Sequence, residues 1–230
     1  MPDPNLVISP LLPDEAALYQ AVRHETFRPT VNKILYTREP SQKTIDSIVE
    51  NTRNDIINKN GFYMKCVDKT TGIVIAGAKW RYMGLLNADG TPAPRSLEDV
   101  KKDLVLLEPY EESDPVIFNT IFTLFAANKL EIMGTRPYFS LYTLVTLPDH
   151  HRRGAGGMLL QWGCEKADEL GVEAFVEASL MGQPLYARYG FEPVKEASID
   201  LREYGGDEEL KFVVSSLTCL MCDCDDINVL

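Results

Sequence analysis

Two spacings of apolar residues alternate along the chain. NLVIS (5–9) is a short β-prone run, and the segment Glu15–Thr26 after it carries helical spacing, with Asp14 behind Pro13 as its expected N-cap. Ile45, Ile48, Val49, Ile56 and Ile57 repeat at intervals of three, four and seven, which predicts an amphipathic helix over Gln42–Asn58 that ends ahead of Asn60-Gly61. FYMKCVD, the turn signal KTTG and IVIAGAKWRYM then predict a hairpin over residues 62–83.

From Gly84 to Pro115 four prolines and many charges interrupt the pattern, and VIFNTIFTLFAANKLEIM (116–133) restores a helical period that Gly134 stops. YFSLYTLVTL (138–147) is strongly β-prone and ends at Pro148. A helix follows to Leu170, with Leu160, Cys164 and Ala167 on one face and Gly171 at the C′ position. AFVEAS (174–179) predicts a strand, Pro184–Tyr189 a short helix ending at Gly190, and residues 191–201 and 210–222 two closing strands. The order β-αα-ββ-(insert)-β-α-β-α-ββ specifies a mixed α/β sheet. Neither part of the chain has enough apolar sequence for a second core, so 1–230 reads as one domain, with 84–137 inserted between the third and fourth strands.

Composition narrows the function classes. A hydrophobic fraction of 45% and a charged fraction of 25% are globular values. A net charge of -11, from 23 basic and 34 acidic residues, argues against nucleic-acid partners, whose binding rests on Lys and Arg at phosphates, and suits a cationic substrate. The N-terminus lacks a basic stretch leading into an apolar one, and no apolar run reaches the ~18 residues of a membrane span, so cytoplasm is expected, with the nucleus left open. Five cysteines, an odd number, read as reduced thiols. Cys219, Cys222 and Cys224 supply half of a zinc-like spacing but no second Cys/His pair lies near them, so no metal is expected and strand packing is the competing reading.

The run 149-DHHRRGAGGMLL-160 joins a strand to a helix through three glycines and two arginines. A helix N-terminus entered this way offers unpaired N–H groups at the positive end of its dipole, a setting suited to phosphate. A tight turn with solvated arginines accounts for the same residues. A P-loop would need Lys-Ser or Lys-Thr after the glycines, and a dinucleotide fingerprint starting at Gly154 would need glycine where Leu159 stands.

These residues resemble the GNAT superfamily of N-acetyltransferases, in which a strand, [QR]-x-x-G-x-[GA] and a helix follow one another. Here the run is 151-HRRGAG-156, with His151 in place of Gln or Arg. A second family signature, N-x-x-A-x-x-[FL]-Y-x-x-x-G-F, is similar to 179-SLMGQPLYARYGF-191, with Ser179 for Asn and Gly182 for Ala. The longer run FVEASLMGQPLYARYGFEPV looks like the corresponding part of puromycin N-acetyltransferase and of fungal relatives. The resemblance implies the GNAT fold: a mixed, mostly antiparallel sheet flanked by helices. It also implies acetyl-CoA as donor, held at its pyrophosphate by the amides of Arg153, Gly154, Ala155, Gly156, Gly157 and Met158, with His151, Arg152 and Ser179 as further contacts. In that family the backbone of Leu144, Val145 and Thr146 polarises the thioester and meets the pantetheine arm, and Tyr186 protonates the departing thiolate.

Acetyl transfer needs a neutral amine. With pKa ~10.4 a lysine-like amine is mostly protonated at pH 7, and freeing its lone pair costs about 4–5 kcal/mol. Tyr186, a phenol that stays protonated near neutrality, is also the chemical choice for general acid, and a packing role is its alternative. Glu177, a carboxylate inside AFVEAS, is the candidate base, unless it faces solvent or a neighbouring arginine. His151 is placed on the cofactor side and His150 in solvent. Trp80, Tyr82 and the helix 116–133 either shape the acceptor pocket or belong to the core. The expected activity is acetyl transfer to the primary amine of a small molecule. A quiet acyl-CoA-binding module and a protein lysine or N-terminal acetyltransferase are the alternatives, and a homodimer is left open.

Overall fold

The computed structural model describes residues 2–204 and 209–217. Its central sheet has seven strands in the order β1-β2-β3-β6-β7-β9-β8. These are β1 (Leu6–Pro10), β2 (Phe62–Asp68), β3 (Ile73–Met83), β6 (Tyr138–Thr146), β7 (Glu173–Ser179), β8 (Glu192–Asp200) and β9 (Glu209–Leu217), and a separate small pair is formed by β4 (Leu85–Leu86) and β5 (Pro92–Ala93). All neighbours in the large sheet are antiparallel except β6 and β7. The helices are α1 (Ala16–Phe27), α2 (Val31–Leu35), α3 (Gln42–Ile57), α4 (Leu97–Asp103), α5 (Pro115–Ile132), α6 (Ala155–Leu170) and α7 (Gln183–Arg188). Among the described residues no helix is long and apolar enough to cross a membrane.

The elements form where their residues make them cheapest. Ser41 caps α3 by accepting from the Thr44 amide at 3.3 Å, and Asp114 caps α5 by accepting from the amides of Val116 and Ile117 at 2.9 and 3.0 Å, with Pro115 in the first helical position. Gly171 ends α6 with φ of 66°, the left-handed turn that glycine adopts without a Cβ penalty. Asp14 does not cap α1. A 3-10 turn over Pro13–Glu15 precedes the helix, and Glu15 reaches back to the Leu12 amide at 2.9 Å, because Pro13 fixes φ one residue too early for Asp14 to serve.

Helices cover both faces of the sheet. α6 packs on one, over a core of Trp80, Phe139, Leu159, Leu160, Ala174, Val176 and Ala178. Trp80 lies flat on Phe139 at 5.1 Å, and its indole fills the space beside Gly163, where a Cβ would stand 2.1 Å from two ring carbons. α1 covers β3 and β6 on the opposite face, and α3 packs against α1. Beyond them α5 carries Phe118, Phe122 and Phe125 toward Phe212 of β9. The segment expected as an insertion thus supplies a helical layer and adds β4, β5 and α4. Its anchor is Glu112, fully buried, which accepts from the Ser41 amide at 2.9 Å and from the Thr44 hydroxyl at 2.7 Å.

Gly163→Ala is expected to displace Trp80 and to destabilise the fold by about 2–3 kcal/mol, the range of an overpacked core, read as a lower urea midpoint with an unaltered slope. Hydrogen bonds from Ser41 and Thr44 hold the Glu112 carboxyl at about 2, against an ordinary 4.5. A carboxylate with a depressed pKa stabilises the fold above its ordinary value, and that contribution is lost as the pH falls toward the folded one. The melting temperature of the wild type should therefore drop between about pH 5 and pH 2. Glu112→Gln should flatten the profile across that window.

Candidate active site

The strand β6 runs through a 3-10 turn at Pro148–His150 into the glycine loop and α6. Arg152 and Gly154 both take left-handed conformations, at φ of 62° and 97°, and turn the chain so sharply that the first helical bond is Met158 N–H to Gly154 C=O, 3.0 Å. The amides of residues 152–157 donate to no described partner. They converge on the positive end of a 16-residue helix, a row of donors suited to a diphosphate.

The three glycines have different reasons. Gly154 needs its positive φ, and a Cβ there would lie 2.8 Å from the Pro2 Cα. Gly157 makes room for the Tyr189 hydroxyl, 2.6 Å from where its Cβ would be. At Gly156 the nearest atom, Leu185 Cδ2, would be 3.4 Å away, so this glycine keeps the first turn bare.

The two arginines separate. Arg152 is exposed and its guanidinium makes no described bond, which leaves it free for an anion. Arg153 is committed elsewhere. Its Nε and Nη2 donate to Asp3 at 3.0 and 2.8 Å, and its Nη1 donates to Asp68 at 2.7 Å and meets His150 Nδ1 at 2.9 Å. The hydrogen bonds from Thr70 and Arg153 hold the Asp68 carboxyl at about 2. The Arg153 side chain therefore ties the loop to β2 and to the N-terminal segment, a corrected role, while its amide stays in the row of free donors. His150, expected in solvent, is half-buried in this cluster. His151 is exposed, with Nε2 2.9 Å from the Thr146 carbonyl, so its ring closes the loop back onto the end of β6.

Beside this loop the sheet comes apart. β6 and β7 are paired only from Tyr138↔Glu173 to Leu141↔Val176. Past that point Thr143, Leu144, Val145 and Thr146 pair with β3 alone, and Glu177, Ala178 and Ser179 pair with β9 alone. Tyr142 is the extra residue of a bulge, since Lys79 faces Thr143 and Trp80 faces Leu141. Two strand edges with unpaired peptide groups thus open toward the amide row, where an extended amide-bearing chain finds partners on either side.

Tyr186 and Glu177 flank the opening from opposite faces. Tyr186 on α7 is buried in the α6-side core, edge-on to Phe191 at 5.9 Å, and its hydroxyl bonds to no described residue. A Cβ on Gly182 would lie 2.8 Å from the Tyr186 ring, so glycine in place of the family's alanine lets the ring fold back over its own turn. Burial pushes this phenol up to about 12. Ser179, at the exposed end of β7, uses its carbonyl to accept from Gly182 and start that turn.

Glu177 is the first β7 residue beyond the divergence and points to the face covered by α5, where Lys129 Nζ donates to its Oε2. Neither solvent nor an arginine is its partner. Burial raises its carboxyl above the ordinary range, and Lys129 opposes that rise. Lys129 Nζ also lies 5.4 Å from the Tyr142 ring centre, with Lys79 Nζ 5.8 Å from the same ring and bonded to Asp55 at 2.6 Å. Tyr142 thus stands between two lysine–carboxylate pairs at the floor of the opening.

Lys129, Tyr142, Lys79 and Asp55 escaped the sequence reading. The one signal was a lysine on an otherwise apolar helix face. Trp80 and Tyr82 face the α6 core instead, so the acceptor side is shaped by α5 without them. Cys219, Cys222 and Cys224 lie outside the described residues.

Comparison with known proteins bears on the fold and on one segment of the sequence. Residues 119–191, from within α5 to the end of the α7 turn, match the model of the acetyltransferase (GNAT) family. No curated protein matches the chain significantly. Among solved structures, arylalkylamine N-acetyltransferase 2 from Aedes aegypti superposes with a TM-score of 0.63 at 16% identity, covering 93% of this chain and 99% of that one. The Drosophila melanogaster polyamine N-acetyltransferase gives 0.60 at 13% identity, with 93% and 99% covered. Salmonella typhimurium yncA, whose structure holds acetyl-CoA, gives 0.57 at 12% identity, with 96% of each chain covered. The fold is that of the GNAT enzymes. The segment that matches the family model spans the loop, the divergent strands and Tyr186.

Proposed function

We propose that the protein moves an acetyl group from acetyl-CoA to the primary amine of a small molecule by direct attack on the thioester. The observation that carries this reading is the row of free amides at 152–157 opening onto strand edges that stop pairing at Leu141 and Val176. Acetyl-CoA supplies the activated acyl group. The amides of Arg153, Gly154, Ala155, Gly156 and Gly157, with the Arg152 guanidinium and His151 beside them, receive its diphosphate, whereas the Met158 amide, expected among them, is already bonded to the Gly154 carbonyl at 3.0 Å. The β6 edge at Leu144, Val145 and Thr146, with Ser179 across the gap, receives the arm and donates to the thioester oxygen, the electrostatic help on which acyl transfer chiefly depends.

Tyr186 protonates the thiolate. A phenol near 12 is a weak acid toward an ordinary thiolate near 8.5, but burial acts on both partners. The half-buried Cys164 thiol of this chain is itself pushed up to about 12 by burial. A thiolate released against a buried face is raised in the same direction, which narrows the gap to the phenol. Glu177 removes the proton of the amine from the other face. A burial-raised carboxyl is better matched than an ordinary one to an ammonium near ~10.4.

A small-molecule acceptor is supported by arylalkylamine and polyamine N-acetyltransferases that share the architecture over nearly their full lengths, and by the resemblance of residues 175–194 to puromycin N-acetyltransferase. Thiol release from acetyl-CoA in the presence of phenethylamine, agmatine or a lysine-containing peptide tests it. Turnover with either small amine and none with the peptide is expected. Turnover with the peptide alone would move the acceptor to proteins, and tight acetyl-CoA binding without any turnover would leave a quiet binding module. Tyr186→Phe should lower kcat by about 10²-fold or more while the KM for acetyl-CoA stays within about threefold, since the hydroxyl acts on the leaving group and not on the bound diphosphate.

A further inference from the structure

α1 lays one stripe of side chains on the sheet, and a charge interrupts it. Tyr19, Arg23 and Phe27 follow one another at intervals of four, so they share the face that α1 turns to β3 and β6. Tyr19 is buried with its ring over Gly77, where a Cβ would stand 2.7 Å from a ring carbon. Gly77 faces Val145 across the ladder, and Lys79 faces Thr143. One turn beyond Tyr19, Arg23 is half-buried, with its guanidinium carbon 5.3 Å from the Phe27 ring centre. Its charge acts on Lys79 and on the half-buried phenols of Tyr36 and Tyr110. Lys79 Nζ in turn lies 5.8 Å from the Tyr142 ring centre, which puts Arg23 on the acceptor side of the opening.

The cations of this face are not all balanced. Lys79 has Asp55, and Lys129 has Glu177. Glu112, whose charge reaches Tyr36, is engaged by Ser41 and Thr44. Arg23 forms no ion pair or hydrogen bond of its guanidinium among the described residues. Arg152 and Arg188 also lack a carboxylate, but both are exposed, where water solvates the charge. A half-buried guanidinium has given up part of that solvation and has only a ring face in return. One positive charge is therefore left over at the acceptor side of a chain whose net charge is -11. The walls around it are fastened: the Thr37 amide donates to the Glu112 carbonyl at 2.8 Å and the Asp114 amide to the Leu35 carbonyl at 2.9 Å, which joins the segments that carry Tyr36 and Tyr110.

We propose that the acceptor amine also carries a carboxylate and that Arg23 binds it, so that the substrate class is an amino acid or an ω-amino acid and not a polyamine. The inference rests on the acetyl transfer proposed above and adds the far end of the acceptor. A guanidinium presents paired donors in the plane a carboxylate needs. A second positive charge on the acceptor would instead meet Arg23, Lys79 and Lys129 together. The acidity of the whole chain, which suits a cationic substrate, does not extend to this face. Arg23 is remote from the reacting atoms and holds ground state and transition state alike, so its effect falls on KM.

The test is thiol release from acetyl-CoA with matched pairs that differ by one carboxylate: phenylalanine and phenethylamine, arginine and agmatine, 4-aminobutyrate and propylamine. In at least one pair the carboxylated member should have a kcat/KM roughly tenfold or more higher. Arg23→Met keeps the stem and removes the charge. It should lower kcat/KM for that member about 10- to 100-fold more than for its partner, through KM. Differences in amine basicity within a pair cancel between wild type and variant. Arg23→Lys should recover part of the loss. The melting temperature of Arg23→Met should hold or rise, because a half-buried charge without a counter-ion is removed. Should Arg23→Met not fold, Arg23→Gln serves in the same comparison. Equal losses for both members of every pair, or a wild type that prefers the amines without a carboxylate, overturn the role of Arg23 and leave acetyl transfer to amines standing. Equal losses with a lower melting temperature overturn it too and assign Arg23 to packing on Phe27. No turnover with any of these amines overturns the proposed function, and this inference with it.

Discussion

The parallel pairing of β6 and β7 ends at Leu141 and Val176, and the rest of the site depends on that ending. A sheet that loses a ladder in its middle exposes peptide groups that folding normally satisfies, so the divergence persists only if each half is held by something else. β6 is held by β3 as far as Thr146, and β7 by β9 as far as Ser179. On one face the indole of Trp80, stacked on Phe139 and seated against Gly163, fixes the base of the opening. On the other face α5 lies over β7 and β9 and adds the Lys129–Glu177 pair at the point of separation. The bulge at Tyr142 changes the face of each later residue on β6, placing Tyr142 and Thr143 on the same side.

The glycine loop answers the divergent strands at their open end. A helix N-terminus supplies free amides in any protein. Here two left-handed residues in three steps turn those amides away from the chain that precedes them. The loop is braced from behind by Arg153, which spans Asp3 and Asp68, and by the His151 ring on the Thr146 carbonyl. The two arginines thereby divide: Arg153 builds the loop, and Arg152 stays exposed beside it.

Much of this was legible in the sequence. β2 and β3 occupy the predicted residues, and α3, α5, α6, β6 and β7 fall within one or two residues of expectation, because each carries a long period bounded by glycine, proline or a capping side chain. α2, with five residues, and β4 and β5, with two each, are too short to establish any period, and the charged, proline-rich segment around them hid α4. On the candidate site, spacing along the chain singled out the loop and Tyr186. Lys129 lies 48 positions from Glu177, and Asp55 lies 24 from Lys79. Pairs so distant in sequence meet only through tertiary packing and leave no local signature. Arg153 shows the converse limit, since its spacing fitted a phosphate contact equally well until Asp3 and Asp68 came to lie beside it.

The placement of Tyr186 and Glu177 on opposite faces of one sheet explains why a divergence is needed at all. An intact ladder between β6 and β7 would wall the two groups off from each other, each buried against its own helical layer. With the ladder open, the space between the strands is shared, and a reacting carbonyl held on the β6 edge can be reached from the α5 face by an amine while its sulfur leaves toward α7. In the proposed reaction, proton removal and proton delivery occur on different sides of the same atom, so base and acid do not compete for one proton. Burial raises both groups, the Glu177 carboxyl and the Tyr186 phenol, which suits the base and acid roles proposed for them. A solvent-filled gap would return both groups to ordinary acidity. The aromatic and apolar packing that closes the two faces is therefore as much a part of the chemistry as the residues that carry the protons.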